Sequence, residues 1–445
     1  MTLGLEPQDA PARDAVRGTL RVALLGFGTV GRAVARALVE PPPTGPLPVE
    51  LVSIYNRGID RKRASWVPSR VEWTESVERA FADDIDAVVE LVGGLDPAGD
   101  WVARALATGK SVVTANKQLI AERGAALEAQ ALERGVEIRF EAAVCGGVPV
   151  INALRTGLRG DRIQRLAGLL NGTANFILTA MDREGQSLDE ALAEAIDHGY
   201  AEADPTADVD GLDALAKVRI LAREALGWEV AASDFTCHSL RGLSSVDFRY
   251  ARRLGCTIRQ VAWVGRDPHA TDEAAGAVGP MLVPRRSPLA SVAGRDNLLV
   301  TWGQRGGPTR FAGRGAGGDA TAVAVVSDLL HLAIRGPRSG AAAEHRPVRL
   351  AGGGLAPRYV RLTVNDRPGI LAALTAAFAR HGINVDAVLQ EPGFPKGDLP
   401  FVVTLEACRV AELERALAEI READFHVAPP LALAIFDVHE STTTA

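Results

Sequence analysis

Short apolar runs alternate with Ala-rich, helically spaced segments through the first third of the chain. Arg21–Leu25, Val49–Tyr55, Ala87–Val92, Ser111–Thr114 and Glu137–Phe140 have the length and β-branched character of buried strands. Arg32–Val39, Trp101–Thr108 and Ala121–Glu133 carry helical spacing between them. This βαβαβ alternation predicts a parallel, doubly wound α/β sheet, whose ligands bind beyond the carboxyl ends of the strands. In the middle third, Ile163–Leu170 reads as a strand and Asn171–Phe176 as a turn of small polar residues entering a helix. Pro205 and Gly211 mark a loop, and from Leu212 the apolar positions 212, 215, 216, 218, 220 and 221 turn helical. The last third predicts βαββα: strand 359–364, helix 370–380 closed by Gly382, strands 383–389 and 400–405, and helix 409–422.

Chemistry enters at the first strand–helix junction. Gly26-Phe27-Gly28-Thr29-Val30-Gly31 follows one strand directly and opens a helix, which is the context a dinucleotide fingerprint requires. Gly26 permits the tight turn, Gly28 the approach of a pyrophosphate, and Gly31 the helix–strand packing. The second strand ends in Asn56-Arg57, with Arg61-Lys62-Arg63 behind it, and lacks the acidic residue that holds a ribose 2′-hydroxyl. Arg57 in that place favours NADP(H), with NAD(H) as the alternative; the same residues also read as a solvated basic cluster. Gly93, Thr114, Asn116 and Lys117 fall at later strand ends, on the ligand side of the sheet.

The segment 199–217 gathers Glu202, Asp204, Asp208, Asp210 and Asp213 ahead of Lys217. Asp213 and Lys217 stand four apart on one helix face, with Asp210 one heptad before Lys217 on nearly the same face. Carboxylates facing one ammonium suit a small cationic substrate with a proton donor beside it; a solvated ion pair reads equally from this segment alone. Glu141–Pro149 is rich in Gly and leaves backbone carbonyls available to a ligand or ion.

Taken in order, GFGTVG (26–31), TANK (114–117), EAAVCGGVP (141–149), LNGTANF (170–176), the acidic segment 199–217 and GRGAGGDATA (313–322) resemble homoserine dehydrogenases. The resemblance implies a Rossmann-type nucleotide domain over 20–150 and an α+β catalytic and dimerisation domain over 151–334. It implies interconversion of L-homoserine and L-aspartate 4-semialdehyde in threonine and methionine biosynthesis. Carried over by position, Glu202 and Asp213 bind the substrate amino group, Asp208 supports them, and Lys117 and Lys217 flank the reacting oxygen with Lys217 as acid/base. The acids of 202–213 are then expected over the nicotinamide, and Gly315 returns to the cofactor. A monovalent cation, sodium, is implied at Glu141, Val144, Gly146 and Val148, where Cys145 replaces a smaller residue. Residues 357–437, opened by Asp366-Arg-Pro-Gly369-Ile370, resemble an ACT domain behind a linker at 335–356. The implied effector is an end product such as threonine, at Asp366, Gly369, Ile370 and Asn384; an ACT fold used only for dimerisation is the alternative. A homodimer or homotetramer is expected.

Two rival functions carry distinct signatures. A semialdehyde dehydrogenase needs a thiolate, for which Cys145 is the one cysteine near the expected site. An amino-acid sensor with an inactive nucleotide domain would not need Lys117, Lys217 or the glycine fingerprint. The composition narrows the partners. The 445 residues carry a net charge of −6, with no basic surplus for nucleic acid and no apolar run long enough for a membrane. Residues 1–19 and 438–445 read as tails, and the N-terminal one has no secretory h-region. Four scattered cysteines and isolated histidines fit a reduced cytoplasmic protein without a zinc site.

Overall fold

The computed structural model describes residues 18–40, 45–270, 273–336 and 345–437. The chain divides into two compact units, 1–119 with 123–140 and 322–342, and 120–122 with 141–321 and 343–445.

The first unit holds β1 (Leu20–Leu25), α1 (Thr29–Val39), β2 (Val49–Tyr55), β3 (Glu72–Thr74), β4 (Ala87–Glu90), α2 (Ala98–Ala107), β5 (Ser111–Thr114), most of α3 (Lys117–Glu133) and β6 (Ile138–Arg139). Its sheet runs β3-β2-β1-β4-β5-β6 with every pair parallel, as the alternation predicts. Strand order reverses between β1 and β4, so the ligand crevice belongs beyond Leu25 and Glu90. Helix α1 buries Gly31, Val34, Ala35 and Leu38, a stripe at helical spacing against the sheet. All three helices start earlier than their apolar spacing suggests. Helix α3 begins at Lys117 because the Asn116 side chain accepts from Leu119 N at 3.2 Å and caps it. The buried Arg139 guanidinium pairs with Glu137 at 2.8 Å and Asp328 at 2.9 Å.

The second unit holds β7 (Ile163–Leu169), α4 (Gly172–Glu184), α5 (Leu188–Asp197), α6 (Leu212–Leu226) and four long strands: β8 (Cys256–Arg266), β9 (Ala274–Pro284), β10 (Asp296–Gly303) and β11 (Gly307–Arg314). Helix α7 (Gly318–Arg335) begins here and is counted with the first unit from residue 322. A βαββα run follows as expected: β12 (Leu355–Val364), α8 (Ile370–Arg380), β13 (Val385–Gln390), β14 (Leu399–Arg409) and α9 (Val410–Arg421). It is closed by a further strand, β15 (His426–Ile435). One mixed sheet takes in all of these strands, in the order β11-β10-β7-β8-β9-β15-β12-β14-β13. Its two halves meet through a two-residue parallel pairing, Met281 with Ala434 and Leu282 with Ile435.

Strands β8 and β9 are buried on both faces along nearly their whole length. They therefore lack the in–out alternation by which sequence reading finds a strand. The Gly-rich stretch read as a linker is tied down over its described residues 345–356. Arg346 and Pro347 pair with Trp228 and Glu229, and Ala351 N donates to Ala274 O at 2.8 Å. Residues 337–344 and both predicted tails, except 18 and 19, lie outside the described residues. No described helix is long and apolar enough to cross a membrane.

Candidate active site

In the first unit the glycine turn meets the steric demands placed on it. Gly26 has φ +102°, and a Cβ there would lie 2.8 Å from Leu91 O. A Cβ on Gly31 would lie 2.1 Å from Gly26 O, so the helix reaches the turn only through glycine. Gly28 is different: it is exposed at the helix N-cap, and a Cβ would meet nothing within 4 Å. The open space lies where unpaired helix N–H groups favour an anion. Thr29 is exposed beside it, and Val30 half-buried. Phe27 departs from the motif reading, because its ring is fully buried between Trp66 and Trp73. Only its backbone borders the crevice, and its N–H donates to Asn56 Oδ1 at 3.2 Å. Arg57 is exposed just past the end of β2.

Across the crevice stands a residue that motif reading passes over. Glu90, fully buried at the end of β4, accepts from Val92 N at 2.7 Å, Gly93 N at 2.9 Å and Thr114 Oγ1 at 2.6 Å. Thr114 Oγ1 accepts in turn from Asn116 N at 2.9 Å, and Asn116 Nδ2 donates to Gly94 O at 2.6 Å. One carboxylate thus fixes the loops after β4 and β5, placing Gly93, Thr114 and Asn116 together. Half-buried Lys117 opens the next helix. A glutamate inside an apolar strand was the available signal.

In the second unit the acidic segment builds a buried cluster on α6. Lys217 Nζ donates to Asp213 Oδ2 and to Leu170 O, both at 2.7 Å. Asn171 Nδ2 donates to Asp213 Oδ2 at 2.9 Å and Asp208 Oδ1 at 2.6 Å, while its Oδ1 caps α4 through Ala174 N. Asn297 Nδ2 donates to the same Leu170 carbonyl at 3.2 Å. Gln260 Nε2 reaches Asp208 O at 2.9 Å. The buried Asn297 Oδ1 and Gln260 Oε1 have no donor among the described residues. The cluster therefore offers carboxylates and amide oxygens around one ammonium.

The other acids go elsewhere. Asp210 does not face Lys217: Gly211, at φ +79°, breaks the helix between them, and Asp210 accepts from Ser239 Oγ at 2.5 Å and Arg241 Nε at 3.1 Å. Asp204 caps the turn at Thr206. Glu202 is exposed and without a partner among the described residues.

Beside this cluster, Glu141 is buried and accepts from Ile151 N at 2.8 Å and Asn152 N at 2.7 Å. Cys145 and Gly146 both take left-handed backbone, φ 58° and 49°, which folds the Val144–Val148 stretch back on itself. Gly315 lies against it, so that a Cβ on Gly146 would lie 2.5 Å from Gly315 O. A Cβ on Gly315 would collide in turn with the Asn297 amide. Burial pushes the Cys145 thiol up to about 11, against the pull of Lys217 and Asn297. It is therefore a protonated thiol at neutral pH.

Residues 149–330 match the homoserine dehydrogenase family, 26–141 its NAD-binding domain, and 358–425 the ACT domain. The homoserine dehydrogenase of Synechocystis sp. is 38% identical over 424 residues, covering 91% of this chain and 97% of that protein. The chain belongs to the homoserine dehydrogenase family. It is an oxidoreductase acting on the CH–OH group of homoserine, with a nicotinamide-binding Rossmann domain and a C-terminal ACT domain. The homoserine dehydrogenase of Mycobacterium tuberculosis H37Rv is 40% identical over 383 residues, 83% of this chain and 86% of that one. A homoserine dehydrogenase structure from Thiobacillus denitrificans matches with a TM-score of 0.85 at 34% identity, covering 94% of this chain and 98% of that one. A hyperthermophilic archaeal homoserine dehydrogenase in complex with NADPH matches at 0.60 and 28% identity, covering 72% and 99%.

Three of the residues expected to hold an effector lie outside the core and one lies within it. Ile370 is buried in the core of the ACT fold, so it can offer an effector only its backbone. Gly369 has φ +95° at the N-cap of α8, and Asp366 before that helix and Asn384 after it are exposed. Asn384 Nδ2 donates to Glu406 at 3.1 Å.

Proposed function

We propose that Lys217 is the acid/base that interconverts L-homoserine and L-aspartate 4-semialdehyde in this protein. The observation that carries this is the state of its ammonium. Of three N–H donors, one meets Asp213 and one meets Leu170 O, and the third has no acceptor among the described residues. A bound nicotinamide supplies the hydride to the aldehyde carbon. The third N–H of Lys217 would be available to protonate the carbonyl oxygen as it gains charge. Lys117 is the second cation expected to stabilise the developing alkoxide.

Asp213 and Glu202 hold the substrate ammonium, with Asp208 adding charge through its Asn171 link. The unsatisfied acceptors on Asn297 and Gln260 support a cationic ligand, because a buried acceptor without a donor is costly. Homoserine carries such an ammonium. On the cofactor side, Gly26 to Gly31, Gly93, Thr114, Asn116 and Gly315 border the dinucleotide, and Arg57 selects the 2′-phosphate of NADP(H) over NAD(H). The hard oxygens of Glu141 and the carbonyls of Val144, Gly146 and Val148 suit a sodium ion in the strained turn. Threonine, bound at Asp366, Gly369, the Ile370 amide and Asn384, regulates a cytoplasmic dimer or tetramer in the biosynthesis of threonine, methionine and isoleucine.

The test is spectrophotometric. NADPH oxidation by the purified protein with aspartate 4-semialdehyde is expected without added phosphate. NADP+ reduction by the same aldehyde that needs phosphate or arsenate would instead point to a thiol enzyme. NADPH against NADH in kcat/KM, sodium dependence, and threonine titration at fixed substrate check the finer assignments one by one.

A further inference from the structure

We propose that a basic cleft in the second unit, at the opposite end of β7 from Leu170, binds a small polyanion carrying two or more phosphate or carboxylate groups. Three strands of the sheet converge there. Arg266 closes β8 next to the pairing of Gly265 with Arg165, and Gly303 closes β10 opposite Ile163. Helix α6 ends against the same space at Leu226, and Arg346 is brought in by its pairing with Trp228. Arg162, Arg266 and Arg346 line the cleft together with Asp161, Gln164 and Trp228. Its volume is about 310 Å³, within the range of small-molecule sites. That is room for roughly ten waters, so a single phosphate would fill only part of it.

The charge around this space is unbalanced. Asp161 is the one acid that lines it, and its carboxylate is turned to the backbone. It accepts from Arg162 N at 2.7 Å, Arg305 N at 3.1 Å and Gly306 N at 2.7 Å. The Gly306 amide, with the other two, holds its carboxyl below the ordinary range. Gly303 and Gly306 make room for it, since a Cβ on them would lie 2.0 and 3.0 Å from Asp161 Oδ2. Asp161 thus fixes the hairpin between β10 and β11 instead of neutralising the arginines. Among the described residues, no carboxylate lies within ion-pair distance of Arg162 or Arg346. Arg346 meets the carbonyl end of α6 through its backbone N–H, to Gly227 O at 2.9 Å, and not through its guanidinium.

All three arginines are exposed, so none of them is there to fill a core. Like charges around one cleft focus a positive potential into it and concentrate anions there. This happens in a chain whose net charge is −6, so the local surplus runs against the molecule as a whole. Guanidinium forks match phosphate and carboxylate oxygens two at a time. Forks supplied by three separate segments suit a ligand with more than one anionic group. Strand β7 starts at this cleft and leads to Leu170 in the Lys217 cluster, seven residues on or ~23 Å along an extended strand. The site is therefore remote from the proposed acid/base and does not depend on that assignment.

Calorimetric titration of the full-length protein with pyrophosphate, tripolyphosphate and citrate tests this, at matched ionic strength. Inorganic phosphate and acetate serve as ions with one anionic group. At least one polyanion is expected to bind saturably, with each single-group ion at least about tenfold weaker. Binding of the phosphates without citrate identifies a phosphorylated ligand, and the reverse a polycarboxylate. Arg162→Gln and Arg346→Gln, both exposed changes, should each weaken binding at least about tenfold, and the double variant should abolish it. Arg349→Gln, an exposed arginine that does not line the cleft, should bind as the wild type. The proposal is overturned if no polyanion binds, if phosphate or acetate binds as tightly, or if binding survives the double variant. It is equally overturned if Arg349→Gln weakens binding as much, which makes the charge diffuse, or if Gly28→Ala abolishes it, which assigns it to the dinucleotide turn.

Discussion

Two glycines three residues apart should separate folding from cofactor binding. At Gly28 the backbone is extended, φ −81° and ψ −157°, and an added methyl meets no atom within 4 Å. Gly28→Ala is therefore tolerated by the fold, and the loss of unfolded-chain freedom stabilises it by about 0.4–1 kcal/mol. The same methyl occupies the space through which a pyrophosphate would approach the helix N-terminus. Displacing the phosphates by even ~1 Å should weaken the cofactor about ten- to hundredfold, or roughly 1.4–2.8 kcal/mol. At Gly31 the methyl would sit 2.1 Å from Gly26 O, so α1 must withdraw from β1 by about 1 Å or more. That overpacking costs roughly 1–3 kcal/mol in addition to the binding loss. Urea unfolding and fluorescence titration with NADPH read the two effects separately. The expected pattern is an unchanged or raised urea midpoint with weak binding for Gly28→Ala, and a lowered midpoint with weak binding for Gly31→Ala. Wild-type NADPH affinity in Gly28→Ala would refute the placement of the phosphates at this turn.

Other outcomes follow from buried groups. Asp213→Asn keeps the shape of the cluster but leaves the Lys217 ammonium without its counter-charge, so urea unfolding should show a loss of about 3–5 kcal/mol. Its kcat/KM for homoserine should fall about a hundredfold or more. Glu90→Ala should raise the KM for NADPH with little change in kcat, and Glu90→Gln, which can still accept from Val92 and Gly93, should restore most of the loss. For Cys145, Cys145→Ala should retain turnover, and the native thiol should resist iodoacetamide at neutral pH. Because burial raises its folded-state value from 9.0 to about 11, the stabilisation it adds is fully present below pH 9 and is lost as pH rises through 11. Denaturant midpoints compared across that window in wild type and Cys145→Ala check the sign.

The parts of the chain legible in advance were those whose pattern is local. The parallel sheet, the glycine turn and the βαββα run each follow from short periodicities and turn residues. The pairing of Asp213 with Lys217 followed from helical spacing, and it is present at 2.7 Å. Asp210 was misjudged because heptad spacing assumes an unbroken helix, and Gly211 ends that continuity. Strands β8 and β9 escaped because burial on both faces erases alternation. Asn297 and Gln260 join the cluster only through strand pairing across long sequence separations, which no local pattern encodes. Phe27 and Ile370 sit inside motifs expected to bind ligands yet bury their side chains in the core, since a motif constrains the backbone more than the direction of each side chain. Glu90 was visible as a charge in an apolar strand, but its role depends on three donors brought to it from two loops.

Lys217 is proposed to move the proton. Single-turnover reduction of aspartate 4-semialdehyde by Lys217→Ala, with NADPH affinity measured on the same sample, tests it most directly. A fall in the chemical rate of about a hundredfold to ten-thousandfold, with the cofactor bound as tightly as in wild type, is the predicted result. A variant that turns over at a near-normal rate would contradict it.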